Sequence, residues 1–191
     1  MDPPYDAPRR NIELKSRLAN LSAAREAALR LGARDAGLLE QTDTYFHCTT
    51  GRLKLRETVG RDAELIAYAR PDHPDARASD YHLISVAEPG PLKRGLANAL
   101  GVRVVVVKRR QLLIWHDSTD LAEVNVRIHL DEVQGLGSFC EFEAVLGETN
   151  DPNDESASTA GLAVLADALG LHARDRIATS YCDLLEAHRP R

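Results

Sequence analysis

Period-two alternation of apolar and polar residues recurs along most of this chain, and it constrains the fold more than any other feature. Side chains two apart on an extended strand point to the same face, so each alternating run predicts a strand with one buried and one polar surface. From Arg9 to Leu18, Ile12, Leu14 and Leu18 share one parity; Asn11, Glu13, Lys15 and Arg17 share the other. Arg52 to Glu57 alternates Arg52, Lys54 and Arg56 with Leu53 and Leu55. Glu123 to Val133 alternates Val124, Val126, Ile128 and Leu130 with Asn125, Arg127, His129 and Asp131. Further strands are expected over 38–48, 63–70, 80–87, 102–116 and 138–146. Four helices, in three regions, interrupt or follow them. One begins at Ser22 as N-cap and runs to Leu31 before Gly32, and one is opened by Pro89-Gly90-Pro91 and ends near Leu100. The third region, Ser156–Leu169 and Ala173–Ala187, reads as two amphipathic helices. Residues 71–79 read as a polar loop and 147–155 as an acidic one.

About eight strands at hairpin spacing, with few interleaved helices, predict an α+β chain built on an antiparallel sheet that can close into a barrel. At 191 residues the chain fits one domain, long enough to bury a core without disulfide or metal staples. The expected organisation is a flexible lead over residues 1–8, a domain over 9–188 with the barrel at about 9–147, and C-terminal helices at about 156–187. The net charge of −5 argues against a general nucleic-acid binder. Cys48, Cys140 and Cys182 are odd in number, far apart and without a C-x-x-C pair, which suits a reducing, cytoplasmic setting rather than a disulfide framework or a zinc site. No apolar run approaches the ~18 residues of a membrane helix. The N-terminal ten residues have no apolar stretch of the kind a signal peptide needs.

The chemistry lies on the polar parity. Strand one offers Asn11, Glu13, Lys15 and Arg17; strand three Arg52, Lys54 and Arg56; strand six Arg103, Arg109 and Gln111; strand seven Arg127, His129 and Asp131; strand eight Glu141 and Glu143. A solvated sheet face would also be polar, but it normally mixes signs, because like charges side by side repel. Here three cations stand in a row on strand three, and two carboxylates stand one pleat apart on strand eight. Segregated cations and carboxylates in one cavity suit a phosphate chain with a divalent metal: Arg and Lys hold oxygens, carboxylates hold the ion.

The stretch Asn11-Ile12-Glu13-Leu14-Lys15 resembles the E-x-E-x-K signature of the CYTH, or triphosphate tunnel metalloenzyme, superfamily. Four further motifs follow in family order: Gly51-Arg52-Leu53-Lys54-Leu55-Arg56-Glu57, Lys108-Arg109-Arg110, Arg127 to Val133, and Gly135-Leu136-Gly137-Ser138-Phe139-Cys140-Glu141-Phe142-Glu143. The last two look most like the class IV adenylyl cyclase branch; thiamine triphosphatase belongs to the same superfamily. The resemblance implies an eight-stranded antiparallel barrel with a polar tunnel. It implies that Lys15, Lys54, Arg56, Arg109 and Arg127, with Arg52, hold phosphates. It implies that Glu13, Asp131, Glu141 and Glu143 hold Mg2+ or Mn2+, and that Glu13, Lys15 and Glu141 take part in catalysis. Asn11 stands where the family has its first Glu, which keeps a carbonyl ligand and removes a negative charge.

The implied substrate is a small triphosphate such as ATP, thiamine triphosphate or tripolyphosphate, with no nucleic-acid or membrane partner, in a monomer or homodimer. Hydrolysis is the favoured reaction. Cyclisation of ATP to cyclic AMP and pyrophosphate is the alternative, and a non-catalytic polyphosphate or nucleotide sensor a third. Gly135-Leu136-Gly137 reads as a hairpin turn rather than a phosphate loop, because no third glycine or following Lys is present. Cys140 has the parity of outside packing.

Overall fold

The structure is a computed structural model that describes residues 8–119, 122–146 and 152–188. Residues 1–7 of the lead expected over 1–8 and most of the acidic loop lie outside them. Eight strands form a closed barrel: β1 (Arg9–Arg17), β2 (Arg34–Phe46), β3 (Arg52–Thr58), β4 (Ala63–Ala69), β5 (Arg77–Val86), β6 (Val102–Thr119), β7 (Ala122–Val133) and β8 (Gly137–Val145). Around the barrel they lie in the order β1-β5-β4-β3-β2-β6-β7-β8, every pairing antiparallel. Closure removes both sheet edges. The four helices are α1 (Leu21–Arg30), α2 (Pro89–Leu100), α3 (Pro152–Ala168) and α4 (Tyr181–Ala187).

The lumen is polar, so the main hydrophobic core lies outside the barrel wall. The outward residues Leu113, Trp115, Val126, Ile128 and Phe142 pack against Leu162 and Leu165 of α3 and Ala24 and Ala28 of α1. Cys140 belongs to this core, fully buried. A second cluster covers the outside of β3, where Leu55, Phe46 and Ala63 meet Leu92 and Leu96 of α2. The third lies inside the barrel at one end: Tyr45, Val104, Val106, Val133 and Phe139 close around Tyr181 of α4. That end is therefore floored by side chains. Arg9, Arg61, Asp62, Leu83 and Leu112 line the cavity towards the opposite end.

Several boundaries differ from the sequence reading: β2 starts at Arg34 rather than residue 38, β6 runs to Thr119 rather than 116, and α3 starts at Pro152 rather than Ser156. Asn20, not Ser22, caps α1, accepting the Ala23 N–H at 3.0 Å. β5 starts at Arg77 rather than residue 80, because its first residues pair with β1, Glu13 opposite Arg77. The final helix is shorter than 173–187. A single 3-10 turn (Ala173–Asp175) is followed by extended chain that bridges to β1 through Ser16 and Arg176, with the Ile177 N–H on the Lys15 carbonyl at 2.9 Å. A capping box between Ser180 and Asp183 then starts α4 and aims Tyr181 into the lumen. At the β2–β3 turn Gly51 has φ +65°, and a Cβ there would stand 2.8 Å from the Tyr68 carbonyl oxygen, so the turn needs glycine.

Candidate active site

Strand pleating carries Asn11, Glu13 and Lys15 (β1), Lys54 and Arg56 (β3), Arg127 and His129 (β7), and Glu141 and Glu143 (β8) onto one cavity of about 590 Å³. That size lies within the range of small-molecule sites. The structure adds residues that the sequence reading did not assign to the site: Lys108 and Arg110 of the Lys108-Arg109-Arg110 motif on β6, Arg70 at the end of β4, Tyr45 and Tyr68, for which core packing is the sequence expectation, and Tyr181.

Three of the expected site residues, Arg109, Asp131 and Arg52, are elsewhere. Arg109 points outward, its side chain 60% exposed and 3.9 Å from Glu132. Cations occupy both parities of Lys108-Arg109-Arg110, so alternation could not choose between them. The choice is made by the other even-numbered residues of β6: Val104 and Val106 are needed against Tyr181 at the floor, and Lys108 and Arg110 follow them inward. Arg103 and Gln111 consequently lie on the outward parity, Gln111 donating to Asp35 at 2.6 Å. Asp131 has the expected inward parity but is 0% exposed, with both oxygens taken. Arg110 binds them at 2.7 and 2.6 Å, and the Tyr181 hydroxyl donates at 2.9 Å. This carboxylate orients Arg110 and does not face the cavity. Arg52 lies off the cavity lining and gives one nitrogen to Asp72 and to Asp183, each at about 3.0 Å.

The cations are organised by a carboxylate the sequence reading did not single out. Asp43 of β2 is buried among Arg56 (2.7 and 2.8 Å), Lys54 (3.1 Å) and Lys108 (3.4 Å). Burial alone would raise its carboxyl, but Arg56, Lys108 and Lys54 hold it well below the usual carboxylate range. Both lysines feel the opposite cost. Burial and the neighbouring Arg56 push Lys54 down to about 8 against the pull of Asp43. Burial and Arg110 push Lys108 down to about 7. The basic wall is thus crowded with positive charge that one aspartate does not fully compensate.

The acidic wall is built by β1 and β8. Their register sets Glu13 opposite Glu143 and Lys15 opposite Glu141. Lys15 reaches Glu141 at 3.1 Å and lies 4.1 Å from the centre of the Tyr181 ring. The Asn11 amide donates to Glu143 at 2.6 Å, while its oxygen is buried without a partner. His129 lies between the two β8 carboxylates, 3.7 Å from Glu141 and 3.8 Å from Glu143. Burial lowers its proton affinity, with Arg110 adding to the effect. Burial, reinforced by Glu141, raises the Glu13 carboxyl, whereas Lys15 and Arg110 overcome burial and hold Glu141 well below its usual value. Neighbouring carboxylates are thereby driven apart in proton affinity.

The carboxylates and the orphaned Asn11 oxygen together make an all-oxygen donor set suited to a hard divalent cation. A second acidic group, Cys182, Asp183 and Glu186, is compact enough for an ion, but its carboxylates are spent on Arg103 at 2.8 and 2.6 Å.

Fold and site together define a closed antiparallel tunnel barrel whose lumen segregates buried cations from clustered carboxylates. The family model of the CYTH domain matches residues 9–173, and the chain belongs to that family. A comparison with curated proteins finds no match. Among solved structures, the chain is similar to the PH1012 protein of Pyrococcus horikoshii OT3, at 22% identity and TM-score 0.70, covering 91% of this chain and 98% of that one. It is also similar to a Vibrio parahaemolyticus protein provisionally described as an adenylate cyclase (21% identity, TM-score 0.70, 94% and 99% covered). The Hippeastrum protein HpAC1, a provisional adenylyl cyclase with a dominant triphosphatase activity, shares 13% identity at TM-score 0.61 over 95% and 97% of the two chains. At these identities the likeness concerns the fold. Among the described residues no helix is long and apolar enough to cross a membrane.

Proposed function

We propose that this protein is a divalent-metal-dependent triphosphatase that draws an organic triphosphate into the tunnel and cleaves a phosphoanhydride bond. The observation that carries the reading is the opposition, across one cavity, of the Lys54, Arg56, Lys108 and Arg110 wall to the Glu13, Glu141 and Glu143 wall. Arg56 and Arg110 are planar donors already oriented by Asp43 and Asp131, so little rotamer freedom is lost when they meet phosphate oxygens. With Lys15, Lys54 and Lys108 they stabilise charge that spreads over the transferred group. Arg127, half exposed, meets the anion as it enters. Glu13, Glu141 and Glu143, with the Asn11 oxygen, would hold Mg2+ or Mn2+. When bound, such an ion neutralises phosphate charge and lowers the pKa of attacking water. Glu13, whose carboxyl burial and Glu141 raise, is the carboxylate best suited to accept a proton from an attacking water.

Hydrolysis is favoured over cyclisation because water needs no positioned ribose hydroxyl. The activity of the Hippeastrum relative points the same way. Product analysis after incubation with ATP, thiamine triphosphate or tripolyphosphate and Mg2+ or Mn2+ decides: orthophosphate supports the proposal, while pyrophosphate with a cyclic nucleotide, or binding without turnover, overturns it.

Two predictions arise here. Arg56→Ala weakens tripolyphosphate binding, measured by calorimetry without metal, by roughly tenfold or more, the scale of a lost charge-assisted hydrogen bond. The second concerns pH. Lys54 and Lys108 have folded-state pKa values of about 8 and about 7, below the ordinary lysine value. The unfolded chain therefore binds more protons above pH 7, and the contribution of these lysines to stability rises with pH. A bound polyanion drives both back to the charged form, so binding takes up protons and affinity falls as pH rises from 7 to 9. Lys108→Met flattens that fall; a profile unchanged by the substitution removes the assignment.

A further inference from the structure

The tunnel wall changes character towards its open end. On β2 the inward parity runs from Asp43 to Gln41 and Leu39, and on β6 from Arg110 to Leu112; β4 and β5 bring Ile66 opposite Leu83. These strands are linked through β3 around the barrel, so the four apolar side chains make one crescent. Arg127, Glu143 and Arg9 keep the β7, β8 and β1 side charged, and Arg61, Asp62 and Glu64 lie further out, at and beside the β3–β4 turn. Leu39 and Ile66 are 9% and 8% exposed, yet among the described residues they belong to none of the three apolar clusters, and Leu83 is 38% exposed. Their apolar surface is turned on the cavity, not on the core. One amide stands within the crescent. Gln41 is 6% exposed; its Nε2 donates to the Thr58 hydroxyl at 3.2 Å, and its Oε1 is buried without a partner. Most buried polar groups are paired, and rotation about the soft terminal torsion of glutamine turns that oxygen onto the cavity.

Leucine and isoleucine offer phosphate oxygens no bond and would only strip them of water. They gain when another apolar surface covers them. Sites for small organic groups have this composition: mostly apolar walls with a few placed polar groups that fix orientation. Resting on the tunnel reading above, we propose that the crescent is the subsite for the organic group of the substrate. That group is a heteroaromatic ring whose faces lie on Leu39, Ile66, Leu83 and Leu112 and whose edge gives an N–H to Gln41. The ring then lies towards the opening and the phosphates towards the floor. Gln41 is a specificity residue and touches no reacting atom. A triphosphate without a ring leaves the crescent uncovered and binds less tightly.

Calorimetry in metal-free buffer compares ATP, thiamine triphosphate and methyl triphosphate, which has the same phosphates and no ring. The proteins are wild type, Gln41→Leu, the double variant Leu83→Ser/Leu112→Ser, and Arg56→Ala. On wild type the better of the two ring-bearing ligands exceeds methyl triphosphate by roughly tenfold or more, the scale of covering two apolar side chains. The double variant removes most of that advantage. Gln41→Leu removes roughly three- to tenfold of it, the range for one hydrogen bond. Methyl triphosphate binds both variants as it binds wild type. The ligand-free melting temperature of Gln41→Leu is no lower than that of wild type, because an unpaired buried oxygen has given way to an alkyl group. Equal affinity of wild type for all three ligands overturns the subsite, and this comparison decides even where a variant fails to fold. Ring selectivity that survives both mouth variants, or a loss in them that is uniform across ligands, overturns it as well. Equal affinities that all fall in Arg56→Ala sink the subsite alone. Absence of binding by wild type, or affinities unmoved by Arg56→Ala, sinks the tunnel reading.

Discussion

Glu141→Gln loses metal-dependent phosphate release by on the order of a hundredfold or more, yet binds tripolyphosphate without metal at least as tightly as wild type. Both effects follow from one charge. Glu141 lines the cavity between Lys15 at 3.1 Å and Arg110 at 3.0 Å. As a carboxylate it is a hard anionic ligand, and its loss removes a charge from a cluster that already carries Asn11 in place of an acid; metal ligation weakens accordingly. The same carboxylate repels phosphate oxygens and occupies two cations that would otherwise meet them, so its neutral amide frees Lys15 and Arg110 for the anion. Phosphate release measured against Mn2+ concentration, alongside calorimetry in chelator, separates the two. Turnover that survives the substitution would remove Glu141 from the metal set. Loss of both binding and turnover would reassign it as a structural anchor.

The second large effect is on stability. Asp43→Asn is expected to lower unfolding free energy by roughly 3–5 kcal/mol, the range for removing one partner of a buried ion pair. For a chain of this length that corresponds to a melting temperature lower by roughly 6–20 °C. Asp43 is the single carboxylate between Arg56, Lys54 and Lys108, and its removal leaves three buried cations facing one another. Lysine deprotonation relieves part of the strain, since Lys108 and Lys54 are already pushed down to about 7 and about 8. Arg56 has no such escape, because a guanidinium is not deprotonated in a protein and stays charged without its partner. Tripolyphosphate replaces the missing anion, so its stabilising shift is larger in the variant than in wild type. Differential scanning fluorimetry with and without tripolyphosphate reads both quantities. An unchanged ligand-free melting temperature would show that Asp43 does not organise the basic wall.

The contrast between Asp43 and Glu141 shows where reading the sequence stops. Glu141 and Glu143 are separated by one residue within a clean alternation, and Glu13 lies within another, so local order alone gives them a common face. Asp43 lies in Thr42-Asp43-Thr44-Tyr45-Phe46, where residues of both parities are partly apolar and no contrast marks the inward side. Its importance arises from register: β2 pairs with β3 and β6 so that Asp43 meets cations of two neighbouring strands. The start of β5 at Arg77 was misplaced for a related reason. It follows Pro71 to Ala76, which reads as loop, and only pairing with β1 makes it the first residue of a strand.

Alternation in the amino-acid sequence determined most of the strands, the antiparallel class of the fold and the inward placement of the β1, β3, β7 and β8 charges. Successive side chains on a strand must point to opposite faces whatever the strand packs against. Tertiary structure decided what alternation leaves degenerate. Lys108 and Arg110 rather than Arg109 turn inward, because Val104 and Val106 are needed against Tyr181 at the floor. Asp131 serves Arg110 instead of the cavity, because α4 brings a hydroxyl onto it. Asp43 enters the site through partners 11 to 65 residues away in sequence. Those outcomes depend on which strands become neighbours and on what closes the barrel end, and no single segment carries that information.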